Sequence, residues 1–342
     1  MPEPTDDPLR HHGDVEARDG RLDLAVNVYA GPRPAWLDDA LRRSLDEVGS
    51  YPSARAAEHA IARHHDRHPT EVLATAGAAE AFGLVARLRA WRRPVVVHPQ
   101  FTEPHAALEQ AGHRVTEIVL PQPFTLDPGA VPADADLVMV GNPTNPTGVL
   151  HPAEVVDGLR SPGRLVVVDE AFMDTVPGET ESLAGTGREG LLVIRSLTKH
   201  WGIPGVRAGY CLGTPELIDE LRRGQTPWSV SSQAAAAMTS CATEEARTEA
   251  RRRAEEIARW RSHLEESLST AGIHHISSHA SFVLARVGEG VHGALRDRGI
   301  AVRRADTFPG LGPAWVRIAV RPPEVTDALV DALSQRRSHA LG

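Results

Sequence analysis

The chain has 342 residues, 41% hydrophobic and 24% charged, a composition that supports a sizeable buried core and, by length, about two domains. Its formal net charge of −8 argues against nucleic acid or an anionic membrane as a partner. Cys211 and Cys241 are the only cysteines, so no disulfide framework is implied; with no apolar run long enough to span a bilayer and no signal-peptide core at the start, the chain reads as cytoplasmic.

Residues 1–20 are polar, with Pro2, Pro4 and Pro8, and read as a flexible arm. A short strand over 22–28 is broken by Gly31-Pro32-Arg33-Pro34. Trp36, Leu37, Leu41, Leu45 and Val48 recur at helical spacing, and a second helix covers 54–68. The strand 72–75 runs through Gly77 into a helix over 79–91, leaving amides at a helix start that can hold an anion. Apolar runs at 95–98, 115–120, 137–140 and 165–168 alternate with helical segments at 102–111 and 152–159. Such alternation implies a mostly parallel sheet covered on both faces. Strands at 191–194 and 208–212 and helices at 215–223 and 232–241 follow.

The stretch 243–271 reads as one long helix that joins two domains, ended by Ala271-Gly272. Beyond it, strands at 281–286, 300–304 and 315–320 and helices at 290–298 and 323–335 form a small α+β unit. The histidine run His64-His65-Asp66-Arg67-His68 has no partner at ligand spacing and reads as solvated surface, so no metal is expected.

Chemistry concentrates in three stretches. Gly141-Asn142-Pro143-Thr144-Asn145-Pro146-Thr147-Gly148 follows one buried strand, and Asp169-Glu170-Ala171-Phe172 ends the next. Ser196-Leu197-Thr198-Lys199 follows a third, with Arg207 eight residues beyond the lysine. A lysine after a buried strand, followed closely by an arginine, suits a reactive amine beside a bound phosphate. Asp169 at a strand end needs a cationic partner if it is buried.

Together with Phe308-Pro309-Gly310-Leu311-Gly312 and Val316-Arg317-Ile318-Ala319-Val320-Arg321, this ordered set resembles the fold-type I pyridoxal-phosphate (PLP) enzymes of the aspartate aminotransferase superfamily. It is most similar to the branch holding histidinol-phosphate aminotransferase and L-threonine O-3-phosphate decarboxylase. The resemblance implies an α/β fold, with a large domain built on a mostly parallel seven-stranded sheet and a small α+β domain. Residues 1–30 would be the arm and part of the small domain, 31–242 the large domain, and 243–342 the small one. Lys199 would carry PLP, and Asp169 would hold the ring nitrogen protonated so that the ring accepts electrons. Phe101 matches the stacking aromatic and Asn145 the partner of the ring oxygen. Phe172 stands where many relatives have tyrosine, so it cannot donate. Gly77, Ala78, Ala79, Ser196, Thr198 and Arg207 match the phosphate cup; relatives often place a polar side chain where Ala79 stands. Tyr51 matches a tyrosine reaching the phosphate from a second subunit, which implies a homodimer with shared active sites. Arg317 would clamp a carboxylate and Arg303 a substrate phosphate, with Asn27 and Arg321 adding to the substrate pocket. The partner is then a small phosphorylated amino acid or amine. Ile203-Pro204-Gly205-Val206-Arg207, Phe172 and the Arg317–Arg321 spacing point towards decarboxylation of L-threonine O-3-phosphate to (R)-1-amino-2-propanol phosphate and CO2, a step towards the cobalamin side arm. The alternative is aminotransfer between histidinol phosphate, or a similar amino acid, and 2-oxoglutarate.

Overall fold

The computed structural model describes residues 7–17, 21–185 and 187–340, with the side chains of 336–340 excepted. Two sheets organise the chain. The first strand, β1 (Leu22–Leu24), leaves at once for the smaller sheet. The larger sheet contains β2 (Val72–Thr75), β3 (Pro94–His98), β4 (Thr116–Val119), β5 (Leu137–Gly141), β6 (Leu165–Asp169), β7 (Leu191–Ser196) and β8 (Gly209–Leu212). Their order is β2-β8-β7-β6-β5-β3-β4. The strands β4, β3, β5, β6 and β7 run parallel, while β8 is antiparallel to both neighbours. The smaller sheet is completed by β9 (His274–Ile276), β10 (Phe282–Arg286), β11 (Ile300–Arg304) and β12 (Trp315–Ala319), in the order β1-β11-β12-β10-β9.

Strand sequences explain the layering. In β5 to β7 nearly every residue is apolar and buried. The two-residue period of a strand sends alternate side chains to opposite faces. Val138, Val140, Val166, Val168 and Val193 fall in one core cluster, while Leu137, Met139, Leu165, Val167, Leu192 and Ile194 fall in another. Helices α1 (Ala35–Arg43) and α2 (Arg55–His64) supply Leu37 and Ile61 to the first. Helices α3 (Ala78–Leu88) and α4 (Glu103–Gln110) supply Phe82 and Leu108 to the second. The short α5 (Ala153–Asp157) adds Val156 to the first face, and α6 (Pro215–Gly224) adds Ile218 to the second. Helix α7 (Ser232–Cys241) returns to the first face with Met238.

Helix α8 (Glu244–Thr270) starts with Thr243 accepting from the Ala246 amide (3.2 Å). Its N-terminal Ala246 packs in the core of the large sheet, whereas Ile257, Leu264 and Leu268 pack in that of the small sheet. The small sheet is backed also by α9 (Val291–Asp297) and α10 (Pro323–Ala340), through Leu295, Leu329 and Leu333. No described helix is long and apolar enough to cross a membrane.

Two expectations need correction. Residues 1–6 and 18–20 lie outside the described residues, but 7–17 are no free arm. They form two 3-10 turns held on both sides. Thr102 Oγ1 donates to the Leu9 carbonyl (2.7 Å), Arg10 and His12 pair with Glu103, and Glu16 is bracketed by His11 (2.9 Å) and His292 (3.0 Å). The histidine run at 64–68 is also not uniformly solvated: His65 is half-buried, with a ring nitrogen 2.9 Å from the Tyr210 hydroxyl.

Candidate active site

The chain direction reverses between β3 and β5: β4 lies on one side of β3, and β5, β6 and β7 follow on the other. In open parallel sheets, ligands bind beyond the strand C-termini at such a point. Each predicted cofactor residue of the parallel strands leaves such an end: Phe101 after β3, Asn145 after β5, Asp169 at the end of β6, and Ser196 to Lys199 after β7.

Asp169 lies opposite Gly141 on β5 and Ile194 on β7. Its Oδ1 accepts from the Ala171 amide (3.0 Å). Burial pushes its carboxyl up to about 6, against the pull of Lys199. Burial pushes Lys199 in turn down to about 8, helped by the positive charges of Arg317 and Arg207. Lysine, aspartate and two arginines thus share one electrostatic neighbourhood, where a strongly shifted pair marks a functional site.

The phosphate cup is built by backbone register. Gly209 on β8 pairs with Thr75 on one side and Ser196 on the other, so it brings the start of α3 beside the end of β7. A Cβ on Gly209 would lie 2.8 Å from the Gly77 carbonyl carbon and 2.9 Å from the Ala78 nitrogen. Gly77 itself has φ +77°, and a Cβ there would fall 2.6 Å from Arg207 Nη2. Only glycine lets that guanidinium reach the turn. Arg207 adopts a left-handed conformation (φ 61°, ψ 53°), a strain of about 1–3 kcal/mol that clusters at ligand clamps. The Ser196 and Thr198 hydroxyls are 2.8 Å apart, and no side chain caps the first turn of α3. Register thus places the 78 and 79 amides, the Ser196 and Thr198 hydroxyls and the Arg207 guanidinium around one turn, a donor set that could hold a phosphate.

On the small sheet, Arg303 of β11 is registered directly against Arg317 of β12. Both are buried, 2% and 4% exposed. Arg317 Nη1 donates to Asn145 Oδ1 and Nη2 to the Ala25 carbonyl, each at 2.6 Å, while its Nε has no partner. Arg303 Nη2 donates to the His11 carbonyl (2.7 Å) and Thr307 Oγ1 (2.6 Å), and its guanidinium lies over the Phe308 ring. Burial pushes Arg317 down to about 9 and Arg303 to about 10. Among the described residues no carboxylate pairs with either guanidinium. Asn27 is 5% exposed and its Nδ2 also lacks a partner. Buried polar groups of this kind need an acceptor.

The match to a protein-family model settles the family: the model for aminotransferase class I and II covers residues 20–335. The chain belongs to that family. A Mycobacterium tuberculosis protein named histidinol-phosphate aminotransferase is 43% identical over 318 residues, covering 92% of this chain and 87% of that protein. The threonine-phosphate decarboxylase of Salmonella typhimurium is 30% identical over 336 residues, covering 92% and 91%. The solved structure of histidinol-phosphate aminotransferase from Sinorhizobium meliloti, in complex with pyridoxal-5'-phosphate, superposes with a TM-score of 0.81 at 22% identity, covering 90% of this chain and 89% of that one. This member of the aminotransferase class I and II family is a PLP-dependent enzyme with the fold-type I architecture.

Its residues fit the cofactor. The cup between Gly77 and Arg207 is one that a Cβ would fill, and the raised carboxyl of Asp169 lacks the cation that a protonated ring nitrogen supplies. Lys199 and Asp169, with Asn145, Ser196, Thr198, Arg207 and the 77–79 turn, would hold it.

The other predicted residues have these surroundings. Phe101 is half-buried, with its ring centroid 5.7 Å from that of His12 and 6.2 Å from that of Phe82. Phe172 is buried edge-on against Phe282 (4.9 Å). Tyr51 is 78% exposed and stacked on Trp228 (4.4 Å) at the surface. Arg321 is a correction. Its donors go to the carbonyls of Asp23, Val26, Val28 and Val320, so it fastens the segment after β1 rather than facing a substrate.

Sequence reasoning passed over Phe282, whose ring lies 5.4 Å from the Arg317 guanidinium carbon. It also passed over Gly13, where a Cβ would meet the Ala25 carbonyl at 2.7 Å and Arg317 Nη2 at 3.3 Å. The small-sheet strand pattern could have flagged Phe282. Nothing local marks Gly13.

Proposed function

We propose that this enzyme transfers the amino group of a phosphate-bearing amine or amino acid, histidinol phosphate first, to 2-oxoglutarate. One observation supports the phosphate-bearing substrate: two buried guanidiniums, Arg303 and Arg317, lie side by side on adjacent strands, and among the described residues no carboxylate forms an ion pair with either. An anionic group on each substrate, bound in its own half-reaction, would give each guanidinium a charged partner. Arg317 takes the carboxylate of the keto acid, and Arg303 takes the distal phosphate. When bound, PLP supplies the electron sink for breaking a bond at Cα. Lys199 Nζ, depressed to about 8, would serve as the proton carrier at the substrate Cα. Asp169 would hold the ring nitrogen in its charged form.

Aminotransfer is chosen over decarboxylation on the relatives. The sequence motifs lean towards decarboxylation, but 43% identity links the chain to a protein named histidinol-phosphate aminotransferase, against 30% for the named decarboxylase. The second reading, loss of CO2 from L-threonine O-3-phosphate towards the cobalamin side arm, keeps one support in this chain. Phe172 packs against Phe282 and offers the ring oxygen no hydroxyl. The proposal includes a homodimer in the cytoplasm, with Tyr51 serving the partner's cofactor phosphate; Cys211 and Cys241, both buried and free, suit a reducing setting.

The deciding assay supplies histidinol phosphate with 2-oxoglutarate, and separately L-threonine O-3-phosphate without a keto acid. Sustained glutamate formation in the first supports aminotransfer. Sustained CO2 release in the second, with no turnover in the first, replaces it by decarboxylation.

A further inference from the structure

Helix α8 carries a fully buried arginine, Arg253 (0% exposed), that the site described above does not use. Its Nη1 donates to the His200 carbonyl (2.9 Å) and its Nη2 to the Pro32 carbonyl (2.8 Å). Its Nε donates to Glu249 Oε1 (2.8 Å), one turn back on the same helix. The guanidinium lies between two rings, 4.3 Å from the Tyr29 centroid and 5.0 Å from that of Trp201. Tyr29 donates its own amide to the Lys199 carbonyl (3.0 Å), and its hydroxyl bonds Glu256, again on α8.

The peptide carbonyls of Lys199 and His200 are thus both held, the first by Tyr29 and the second by Arg253. The two holders are stacked on each other and anchored on one helix. That helix packs against both sheets. A lysine side chain has a flexible four-carbon stem, so where its amine can reach depends on how firmly its backbone is fixed.

We infer that Arg253 is a positioning residue for the catalytic lysine, tying the Lys199–His200 backbone to the domain-linking helix and so setting the placement of Lys199 Nζ. Only a planar fork reaches two carbonyls far apart in sequence while presenting both faces to aromatic rings. Lysine can make one such contact and stack less well. The inference concerns the lysine that either reaction uses, so it stands whichever substrate is correct.

The test uses holoenzyme variants Arg253→Lys and Arg253→Met, each normalised to bound PLP. The readouts are kcat, KM, thermal midpoint and the pH midpoint at which the absorption band of the bound cofactor shifts. The expected result is a displaced spectral midpoint in both variants and a kcat lower by about tenfold to a hundredfold, with KM little changed. Arg253→Lys does not restore wild-type behaviour. If the PLP-loaded variants keep the wild-type spectral midpoint, whatever their thermal midpoint, Arg253 merely packs the core and the inference is overturned. Should neither variant fold, Glu249→Gln removes the carboxylate that aligns Arg253 Nε without opening the core. It is expected to move the spectral midpoint in the same direction by less, and an unmoved midpoint there overturns the inference equally. A wild-type protein that showed no cofactor band would instead refute the PLP assignment of the site.

Discussion

Arg303 and Arg317 stand directly opposite each other on β11 and β12, yet every hydrogen bond their guanidiniums make goes to a neutral oxygen. Two cations buried side by side are mutually unfavourable, and each is pushed below its ordinary value. Removing either therefore has a substrate-specific signature. Arg303→Ala is expected to lower kcat/KM for a phosphorylated substrate by roughly ten- to a few-hundredfold, the loss of one charged or bidentate contact. An unphosphorylated analogue should be barely affected. Arg317→Ala should damage the 2-oxoglutarate half-reaction and spare the histidinol phosphate half-reaction, since that amine has no carboxylate. Single-turnover kinetics on each half separates them. Loss of both halves in Arg303→Ala would show that the residue holds the fold together and not the phosphate.

Lys199 and Asp169 give a prediction about the cofactor-free protein. Lys199 drops from 10.5 to about 8 on folding, so below pH 8 it is charged in both states and the burial penalty is fully present. Between 8 and 10.5 the folded form has lost a proton that the unfolded chain keeps, and the penalty fades. Asp169 rises from 3.8 to about 6, so its penalty is absent below pH 4 and complete above 6. At pH 7 both penalties act together. Lys199→Met and Asp169→Asn should each raise the melting temperature of the cofactor-free protein there, on the order of a few degrees. The gain from Lys199→Met should shrink as pH approaches 10.5, and that from Asp169→Asn should vanish near pH 4. Scanning fluorimetry across pH checks both signs. In the loaded protein the same variants should lose the 400–430 nm band (Lys199→Met) or turnover (Asp169→Asn), roughly as PLP sites behave.

Gly77→Ala is expected to weaken PLP binding by about tenfold or more. The Gly77 backbone (φ 77°, ψ 172°) lies in a region populated almost only by glycine, which costs any other residue about 1–3 kcal/mol, and the new Cβ would also displace Arg207. Titration of cofactor-free protein with PLP measures it. An unchanged affinity would mean that the turn and Arg207 do not share one anion.

Tyr51 stacks on Trp228 with 78% of its surface exposed, which fits a residue destined for a second subunit. Mixing inactive Tyr51→Ala and Lys199→Ala chains should restore partial activity, because one of the two hybrid sites carries neither defect. With subunit exchange verified by mass spectrometry, absence of rescue would count against a shared site.

The strands and the residues at their ends were legible because the pattern is local. Apolar runs of four residues lead into Gly141, Asp169 and, through Arg195, Ser196, and chemistry follows the end of each. What stayed hidden depends on chain segments meeting from far apart. Arg321 looks like a free cation in sequence, but the carbonyls that fill its guanidinium come from 23–28, nearly three hundred residues earlier. The 7–17 segment is mostly polar, with Leu9, Val15 and Ala17 too scattered to mark an element, and nothing in it announces the Thr102 hydroxyl or the His292 ring that hold it down. Arg253 sits in a run of charged helix residues, where burial at a single position cannot be distinguished from its neighbours by type. The short β9 was missed because its His274-His275 start is polar, as suits an edge strand.

The pairing of β1 with β11, Leu22 against Ile300 and Leu24 against Val302, also bears on how the molecule is made. A chain is synthesised from its N-terminus, and units fold as their residues emerge. The larger sheet closes within residues 72–212 and can assemble while the rest is still being translated. Leu22–Leu24, although among the first residues to leave the ribosome, must wait for roughly the last eighth of the chain before it has a strand to join. Until then the apolar face of Leu24 stays uncovered, so a nascent chain stalled before Ile300 would be a chaperone client, with its cofactor cup in place but both anion clamps missing.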